Sequence, residues 1–422
     1  MNKIKRYTLK KIINNASQKS PFYGKLYQKN GALPFQNLPL IEQPAFWKAN
    51  TLEDNSLLCG PIQGGIVFKS GGTTGNPKFS VYTRKEWEAM TTDFARGLAQ
   101  NGIKKGDRIA NLFYVGELYS SFLFLHEALA HCQVETINFP IAGSAPIEFI
   151  MHALQELQIN VILGVPTSLM AMADFIERNS LSGLCVQKIH FGGETMYPDQ
   201  RRRVADIFGG AKIRSVGYAS VDAGLLGFAD DSCGFNEHRA FMGHNIIEVI
   251  DEESGKPIEE MGRPGKLYST NLTRLLMPII RYPIGDLGMW TEKARRGDRK
   301  FKILGRSEEG ARIGPVTVYV EDIMRIISEL KKSVEISNFQ IVIARNGGLD
   351  QLVLKLATSA GVSRKDVDSD FISMLYAQRA MLKMELDRGH IASPRIEWCA
   401  ASDMEKNSRT GKIRRIIDRR LE

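Results

Sequence analysis

Between residues 66 and 217, short apolar runs alternate with longer stretches in which apolar residues recur at helical spacing. Residues 108–113, 136–139, 161–164, 188–191 and 212–217 read as strands. Residues 118–129, 147–157, 168–178 and 199–208 place apolar side chains three and four apart, as one face of a helix does. Strand and helix in alternation predict an α/β domain with mainly parallel sheets, whose ligand loops lie at the carboxyl ends of the strands.

Upstream, residues 3–60 read as helices and loops, with a helix start at Ser20-Pro21-Phe22-Tyr23 and a polar region over 42–55. After Gly224 the texture changes to strand and turn. Runs at 245–250, 265–270 and 287–290, with a turn over 251–256, predict an antiparallel, β-barrel-like subdomain. Beyond Ile303-Leu304-Gly305-Arg306, a helical pattern over 320–330, strands over 339–344 and 352–356, and a helix over 366–388 predict a small α+β unit. The boundary falls at Gly305-Arg306, giving a large domain over residues 1–305 and a small one over 306–422. No internal repeat or low-complexity segment is present.

At 422 residues the chain exceeds one ordinary core, and 43% hydrophobic residues suffice to fill two or three. No apolar run is long enough to cross a bilayer; the nearest, over 121–130, contains His126 and Glu127. The basic opening MNKIKRYTLKKIINN lacks the apolar segment and cleavage site of a secretory signal, so a cytoplasmic protein is expected, with no membrane partner. Cys59, Cys132, Cys185, Cys233 and Cys399 are odd in number and unpaired in spacing, which argues against a disulfide framework. The formal charge of +9, with clusters at Arg201-Arg202-Arg203 and at Arg414, Arg415, Arg419 and Arg420, suits an anionic ligand or solvated helix faces. No aromatic-interleaved basic stripe points to nucleic acid. Cys233, His238 and His244 invite a zinc reading, yet no further Cys or His occurs before His390, so remaining ligands would come from far away in sequence.

The chemistry concentrates first in FKSGGTTGNPK, residues 68–78. Amides of a glycine-rich turn converge on an anion, hydroxyls add donors, and lysine adds charge, so a phosphate cradle is the physical reading beside that of a plain exposed turn. A Walker A loop needs lysine directly after glycine, followed by Ser or Thr. Here Asn76-Pro77 intervene and Phe79 follows Lys78, which disfavours a P-loop NTPase.

Ser70-Gly71-Gly72-Thr73-Thr74-Gly75, with Pro77-Lys78, resembles the phosphate loop of the adenylate-forming superfamily of acyl-CoA synthetases, adenylation domains and luciferases. Further motifs follow in the family's order. Gly192-Gly193-Glu194 resembles the adenine-binding turn, and Gly217-Tyr218-Ala219-Ser220-Val221-Asp222 the Tyr-Gly-x-Ser/Thr-Glu motif. Arg281-Tyr282-Pro283-Ile284-Gly285-Asp286 is similar to Tyr-Arg-Thr-Gly-Asp, Gly305-Arg306-Ser307-Glu308 to the Gly-Arg-x-Asp hinge, and Thr410-Gly411-Lys412 to the terminal Gly-Lys pair. SPFYGKLY near the start, Pro278-Ile-Ile-Arg-Tyr and the compact length resemble the phenylacetate:CoA ligase-like branch.

That resemblance implies a two-step ligase in which a carboxylate and ATP give acyl-AMP and pyrophosphate, and a thiol then displaces AMP. By it, Ser70 to Gly75 and Lys78 hold the β- and γ-phosphates, Asp286 the ribose hydroxyls, Tyr218 and Gly192-Gly193-Glu194 the adenine, and Asp222 Mg²⁺. Lys412 becomes the catalytic lysine on a small mobile C-terminal domain that swings about Arg306-Ser307-Glu308, and Arg306 counts among the cofactor-binding residues. Asp222 stands where the family has Glu, and Ala219 and Val221 replace its Gly and hydroxyl residue, which bears on metal geometry. Phe113, Tyr114 and Tyr119, with residues 140–144, are expected at the acyl pocket, where Glu117 hints at an amine- or hydroxyl-bearing acid. The substrate implied is an aromatic or small cyclic carboxylic acid. The acceptor is coenzyme A or, alternatively, an acyl or peptidyl carrier protein or another nucleophile. A homodimer is an analogy to the branch. A catalytically weak nucleotide-binding protein is the reading outside enzymology.

Overall fold

The computed structural model describes residues 5–28, 33–51, 54–70, 78–116, 118–196, 198–251, 254–294, 297–306, 310–314, 316–330, 334–358, 365–406 and 411–420. Contacts divide the chain into two units, Met1–Ser307 and Glu308–Glu422.

The first unit opens with helices α1 (Leu9–Lys19), α2 (Pro21–Gln28) and α3 (Gln43–Lys48). Helix α1 starts at Thr8, whose hydroxyl accepts the Lys11 amide, and it buries Ile12 and Ala16 while its lysines face solvent. A hairpin follows, β1 (Ile66–Ser70) and β2 (Lys78–Tyr82), with Ser70 opposite Lys78. The strands on either side of residues 71–77 thus pair antiparallel, and the second of them, β2, is not among the strands predicted from the sequence.

The predicted alternation comes next: α4 (Arg84–Gln100), β3 (Arg108–Leu112), α5 (Ser121–Ala130), β4 (Ile137–Phe139), α6 (Ile147–Glu156), β5 (Val161–Gly164), α7 (Pro166–Arg178), β6 (Lys188–Phe191), α8 (Pro198–Ile207) and β7 (Lys212–Ser215). The five strands form one parallel sheet in the order β4-β3-β5-β6-β7. On β5, Val161 and Leu163 enter one apolar cluster and Ile162 the other. Both faces are covered, so the strand reads as an unbroken apolar run. Helix α5 starts later than expected, because Leu118 adopts a left-handed φ of 62° and Tyr119 bridges back to Gly116.

Strands β8 (Tyr218–Ser220), β9 (Gly224–Phe228), β10 (Glu237–Ala240), β11 (Asn245–Ile250), β12 (Gly265–Asn271), β13 (Tyr282–Trp290) and β14 (Lys300–Arg306) form an antiparallel sheet in the order β11-β12-β13-β14-β10-β9-β8. Asn245 on the edge strand β11 donates to the Leu225 carbonyl on β9, so the sheet curls back on itself in barrel-like fashion. Along β13 burial alternates without a break: Tyr282, Ile284, Asp286, Gly288 and Trp290 share the buried face. One carboxylate thus lies on an otherwise apolar face.

The second unit contains the hairpin β15 (Gly310–Ile313) and β16 (Val316–Tyr319), then α9 (Val320–Leu330), β17 (Asn338–Asn346), β18 (Leu349–Thr358), α10 (Asp368–Gln378), α11 (Ala380–Asp387), β19 (Ile391–Ala400) and β20 (Ile416–Asp418). Its sheet runs β19-β18-β17-β20. The single helix expected over 366–388 is two helices. The break is Arg379, at φ −127° and ψ 69°, whose guanidinium grips Asp322 of α9 at 2.6 and 2.9 Å. Strand β19 was not anticipated because Pro394 interrupts its pattern; it is an edge strand whose register shifts beside that proline.

Candidate active site

The loops leaving the parallel sheet carry much of the chemistry singled out in the sequence. Phe113 and Tyr114 follow β3, Thr167 and Ser168 follow β5, Gly192-Gly193-Glu194 follow β6, and Tyr218 lies just past β7. All therefore gather at the carboxyl edge.

At the turn after β6, the Gly192 amide donates to the Gly164 carbonyl at 3.1 Å. A Cβ at Gly192 would meet Val216 Cγ1 at 2.7 Å and Phe113 Cζ at 3.4 Å, so the close approach requires glycine. Glu194 turns towards α7, and its Oε2 accepts the Thr167 amide at 3.1 Å and the Thr167 hydroxyl at 2.7 Å. One carboxylate thereby satisfies an orphan amide of the first helical turn and ties two loops together.

A second cluster is built on β13. The Tyr218 hydroxyl donates to Asp286 Oδ2, and Asp286 is only 7% exposed. The Tyr218 ring packs near His238 and Phe301, at 5.7 and 6.1 Å between centroids. Burial, aided by the charge of Arg201, pushes the His238 imidazole down to about 4, so it is neutral where it meets Ser215 Oγ at 2.8 Å. Four residues earlier on the same face of β13, the Tyr282 hydroxyl donates to Asp222 Oδ2 at 2.7 Å while accepting from Trp47 Nε1 at 2.9 Å. Burial, reinforced by the Asp222 charge, raises the Tyr282 phenol well above its ordinary value and keeps it a donor. Asp222 Oδ1 also accepts the Ala223 amide at 3.0 Å. Strand β13 therefore braces segment 218–222 at both ends: Asp286 holds Tyr218, and Tyr282 holds Asp222.

Tyr282 is aimed by its neighbour. Arg281 sits in the left-handed region at φ 45°, with its amide on Thr270 Oγ1 at 2.8 Å. Its buried guanidinium grips Glu248 at 3.0 and 3.1 Å and the carbonyls of Gln36 and Leu38 at 2.9 and 2.6 Å. Burial pushes the Glu248 carboxyl up, opposed by Arg281. Arg281 and Tyr282 stand inside the motif that ends at Asp286, but their partners are not legible there, and Glu248 carries only the signal of a charge inside an apolar run.

The three aromatics expected at an acyl pocket part company. Phe113 is core, beneath Gly192, and Tyr119 is buried as well. Tyr114 is half-buried, with its hydroxyl 3.3 Å from Ser168 Oγ and its ring against Gly143, where a Cβ would meet Cε2 at 2.8 Å. The Ala142 and Gly143 amides donate to the carbonyls of Asn111 and Phe113, which seats segment 140–144 beside the end of β3. Gly71, Gly72, Thr73, Thr74, Gly75, Glu117, Ser307, Glu308 and Thr410 lie outside the described residues, as do the side chains of Ser70, Lys78 and Arg306. Lys412 belongs to the second unit, half-buried after Gly411 at φ 67°, in a segment closed by a Lys406–Ile413 bridge.

Cys233, His238 and His244 each have separate partners: Asp230, Ser215 and Asp93. Among the described residues, no group of three or more His, Cys, Asp or Glu could hold a metal ion. The half-buried Asp222 carboxylate keeps acceptor capacity beyond its two hydrogen bonds, which fits a Mg²⁺ ion delivered with phosphates rather than one caged by protein. No helix among the described residues is long and apolar enough to cross a membrane.

Residues 66–271 match the model of the AMP-binding enzyme family. A phenylacetate-coenzyme A ligase of Thermus thermophilus is 27% identical over 98% of this chain and 95% of its own length. The chain carries an AMP-binding enzyme domain. It is similar to a second phenylacetate-coenzyme A ligase, from Pseudomonas putida, 26% identical over 86% of this chain and 82% of that protein. The adenylate-forming fold is shared with 2-hydroxyisobutyryl-CoA ligase, whose crystal structure with R3-HIB-AMP superposes with a TM-score of 0.73 at 20% identity, over 98% of this chain and 88% of that one.

Proposed function

We propose that this protein is a cytoplasmic AMP-forming acid–thiol ligase that activates an aromatic carboxylic acid with ATP and transfers the acyl group to coenzyme A. The observation that carries the reading is the β13 brace, in which Asp286 and Tyr218 form one buried pair and Tyr282 and Asp222 another at the carboxyl edge of the parallel sheet.

In the first half-reaction a carboxylate oxygen bonds to the α-phosphorus of ATP and the bond to pyrophosphate breaks. Two anions meet, so aligned donors and fixed positive charge matter more than a proton carrier. Asp286 offers acceptor oxygens to the ribose hydroxyls, with Tyr218 holding one of them in line. The Tyr218 ring gives a face for adenine, and the bare Gly192 lets the base approach the backbone. Asp222 is the residue that would hold Mg²⁺, which supplies charge neutralisation at the phosphates when bound. Lys412 neutralises charge between the carboxylate and the α-phosphate during this step. In the second half-reaction the coenzyme A thiolate attacks the acyl carbon and AMP leaves with the bonding pair; no role in this step falls to Lys412.

The test is ATP–pyrophosphate exchange across aryl, arylacetic, amino-aryl and short aliphatic acids without a thiol, using wild type and Lys412→Ala. Exchange with aromatic acids that falls by about a hundredfold or more in the variant is expected, while conversion of supplied acyl-adenylate persists. No exchange with any acid refutes the reading. Equal loss of both half-reactions refutes the role of Lys412.

A further inference from the structure

Arg274 lies in the run Asn271-Leu-Thr-Arg-Leu-Leu-Met-Pro278, the one charged residue in an otherwise apolar and small-polar stretch, and it is fully buried. Among the described residues it meets no carboxylate. Its Nη1 donates to the Asp222 carbonyl at 2.6 Å and reaches the Tyr82 hydroxyl at 3.4 Å, and its Nη2 donates to the Val81 carbonyl at 3.0 Å. The guanidinium stacks on the Tyr82 ring at 4.1 Å, and the Tyr82 hydroxyl donates to the Val221 carbonyl at 2.8 Å. Its Nε finds no acceptor.

A buried cation facing carbonyls, with one donor unsatisfied, costs stability and is a poor choice for a merely structural strut. The turn that presents it is heavily built all the same. Asn271 Oδ1 accepts the Thr273 and Arg274 amides at 2.8 and 3.2 Å, and Glu86 Oε1 accepts the Leu275 and Leu276 amides at 2.7 and 2.9 Å. What Arg274 joins is specific. Val81 and Tyr82 end the strand that returns from the glycine-rich loop, and Val221 and Asp222 form the turn beneath β13.

Resting on the function proposed above, we infer that Arg274 is a positioning residue for MgATP: its planar fork locks the hairpin that carries the phosphate loop to the turn that carries Asp222. Lysine keeps the charge but cannot span both carbonyls while stacking on Tyr82. The experiment is isothermal titration of ATP over a series of Mg²⁺ concentrations, with KM for ATP and for acid from pyrophosphate exchange, for wild type, Arg274→Lys, Arg274→Met and Tyr82→Phe.

Arg274→Lys is expected to weaken MgATP binding about tenfold and to raise the Mg²⁺ needed for half-maximal ATP affinity, with KM for the acid held within about twofold. Tyr82→Phe, which removes a single hydroxyl, is expected to move the same quantities about threefold. MgATP binding by folded Arg274→Lys within about twofold of wild type overturns the inference, as does a parallel loss of acid and ATP affinity. If the Arg274 variants fail to fold, Tyr82→Phe decides, and unchanged MgATP affinity there overturns it. A wild-type protein that binds no ATP removes the functional reading and this inference together; normal wild-type binding with unaffected variants removes the inference alone.

Discussion

His190 offers a perturbation whose size follows from its surroundings. It sits on β6, 2% exposed, two residues before Gly192, and neither ring nitrogen has a hydrogen-bond partner. Burial, then the nearby charges of Lys188 and Arg214, push its imidazole from 6.5 down to about 3. The folded protein therefore keeps His190 neutral while the unfolded chain protonates it below pH 6.5, so stability is full above 6.5 and falls as pH drops towards 3. At pH 5.0 the 1.5-unit gap below the unfolded value, at about 1.36 kcal/mol per unit, costs about 2 kcal/mol. His190→Leu removes this proton linkage without breaking a hydrogen bond. Unfolding in urea at pH 7.5 and 5.0, followed by fluorescence of the four tryptophans, Trp47, Trp87, Trp290 and Trp398, measures the loss for each protein. Other titrating groups, His238 included, are common to both. The variant should lose about 2 kcal/mol less than wild type on acidification. The same loss in both proteins refutes a neutral buried His190.

Three further outcomes follow from the site. Asp286→Asn turns an acceptor oxygen facing Tyr218 into a donor, and MgATP binding measured by calorimetry should weaken by about ten- to a hundredfold with little change in melting temperature. Gly192→Ala forces a methyl against Val216 and should cost about 1–3 kcal/mol in urea unfolding; an unchanged midpoint rejects that packing. Arg281→Met strands Glu248 in the core and should destabilise by about 3–5 kcal/mol at pH 7, whereas adding Glu248→Leu should recover most of the loss, since the pair is worth less than either orphan.

Legibility in the sequence followed locality. The alternation that became β3 to β7, the glycine-rich run, and the order of motifs from Ser70 to Lys412 are contiguous in the chain and could be read there. The contacts of Tyr282, Arg281, Glu248 and Arg274 could not. Their partners, Asp222, Gln36, Leu38 and Val81, lie tens to hundreds of residues away, and an arginine in an apolar run gives no hint of which carbonyls it will meet. The helix break at Arg379 was hidden for a like reason: the Asp322 carboxylate that holds it belongs to another helix. Strand β19 was masked by Pro394, which an edge strand tolerates and a central one does not.

By itself, then, the sequence determined the class of fold, through the period of its apolar residues, and the chemistry on offer, through glycines, hydroxyls and carboxylates at short fixed spacing. Tertiary structure alone decided which of those groups work together. Strand alternation put Tyr282 and Asp286 on one buried face, and the curl of the sheet brought Tyr218 and Asp222 to them across the three strands that separate β8 from β13 in sheet order. The physical reason is range: periodicity and turn preference act over a few residues, whereas the placing of a buried carboxylate depends on donors that only packing can deliver.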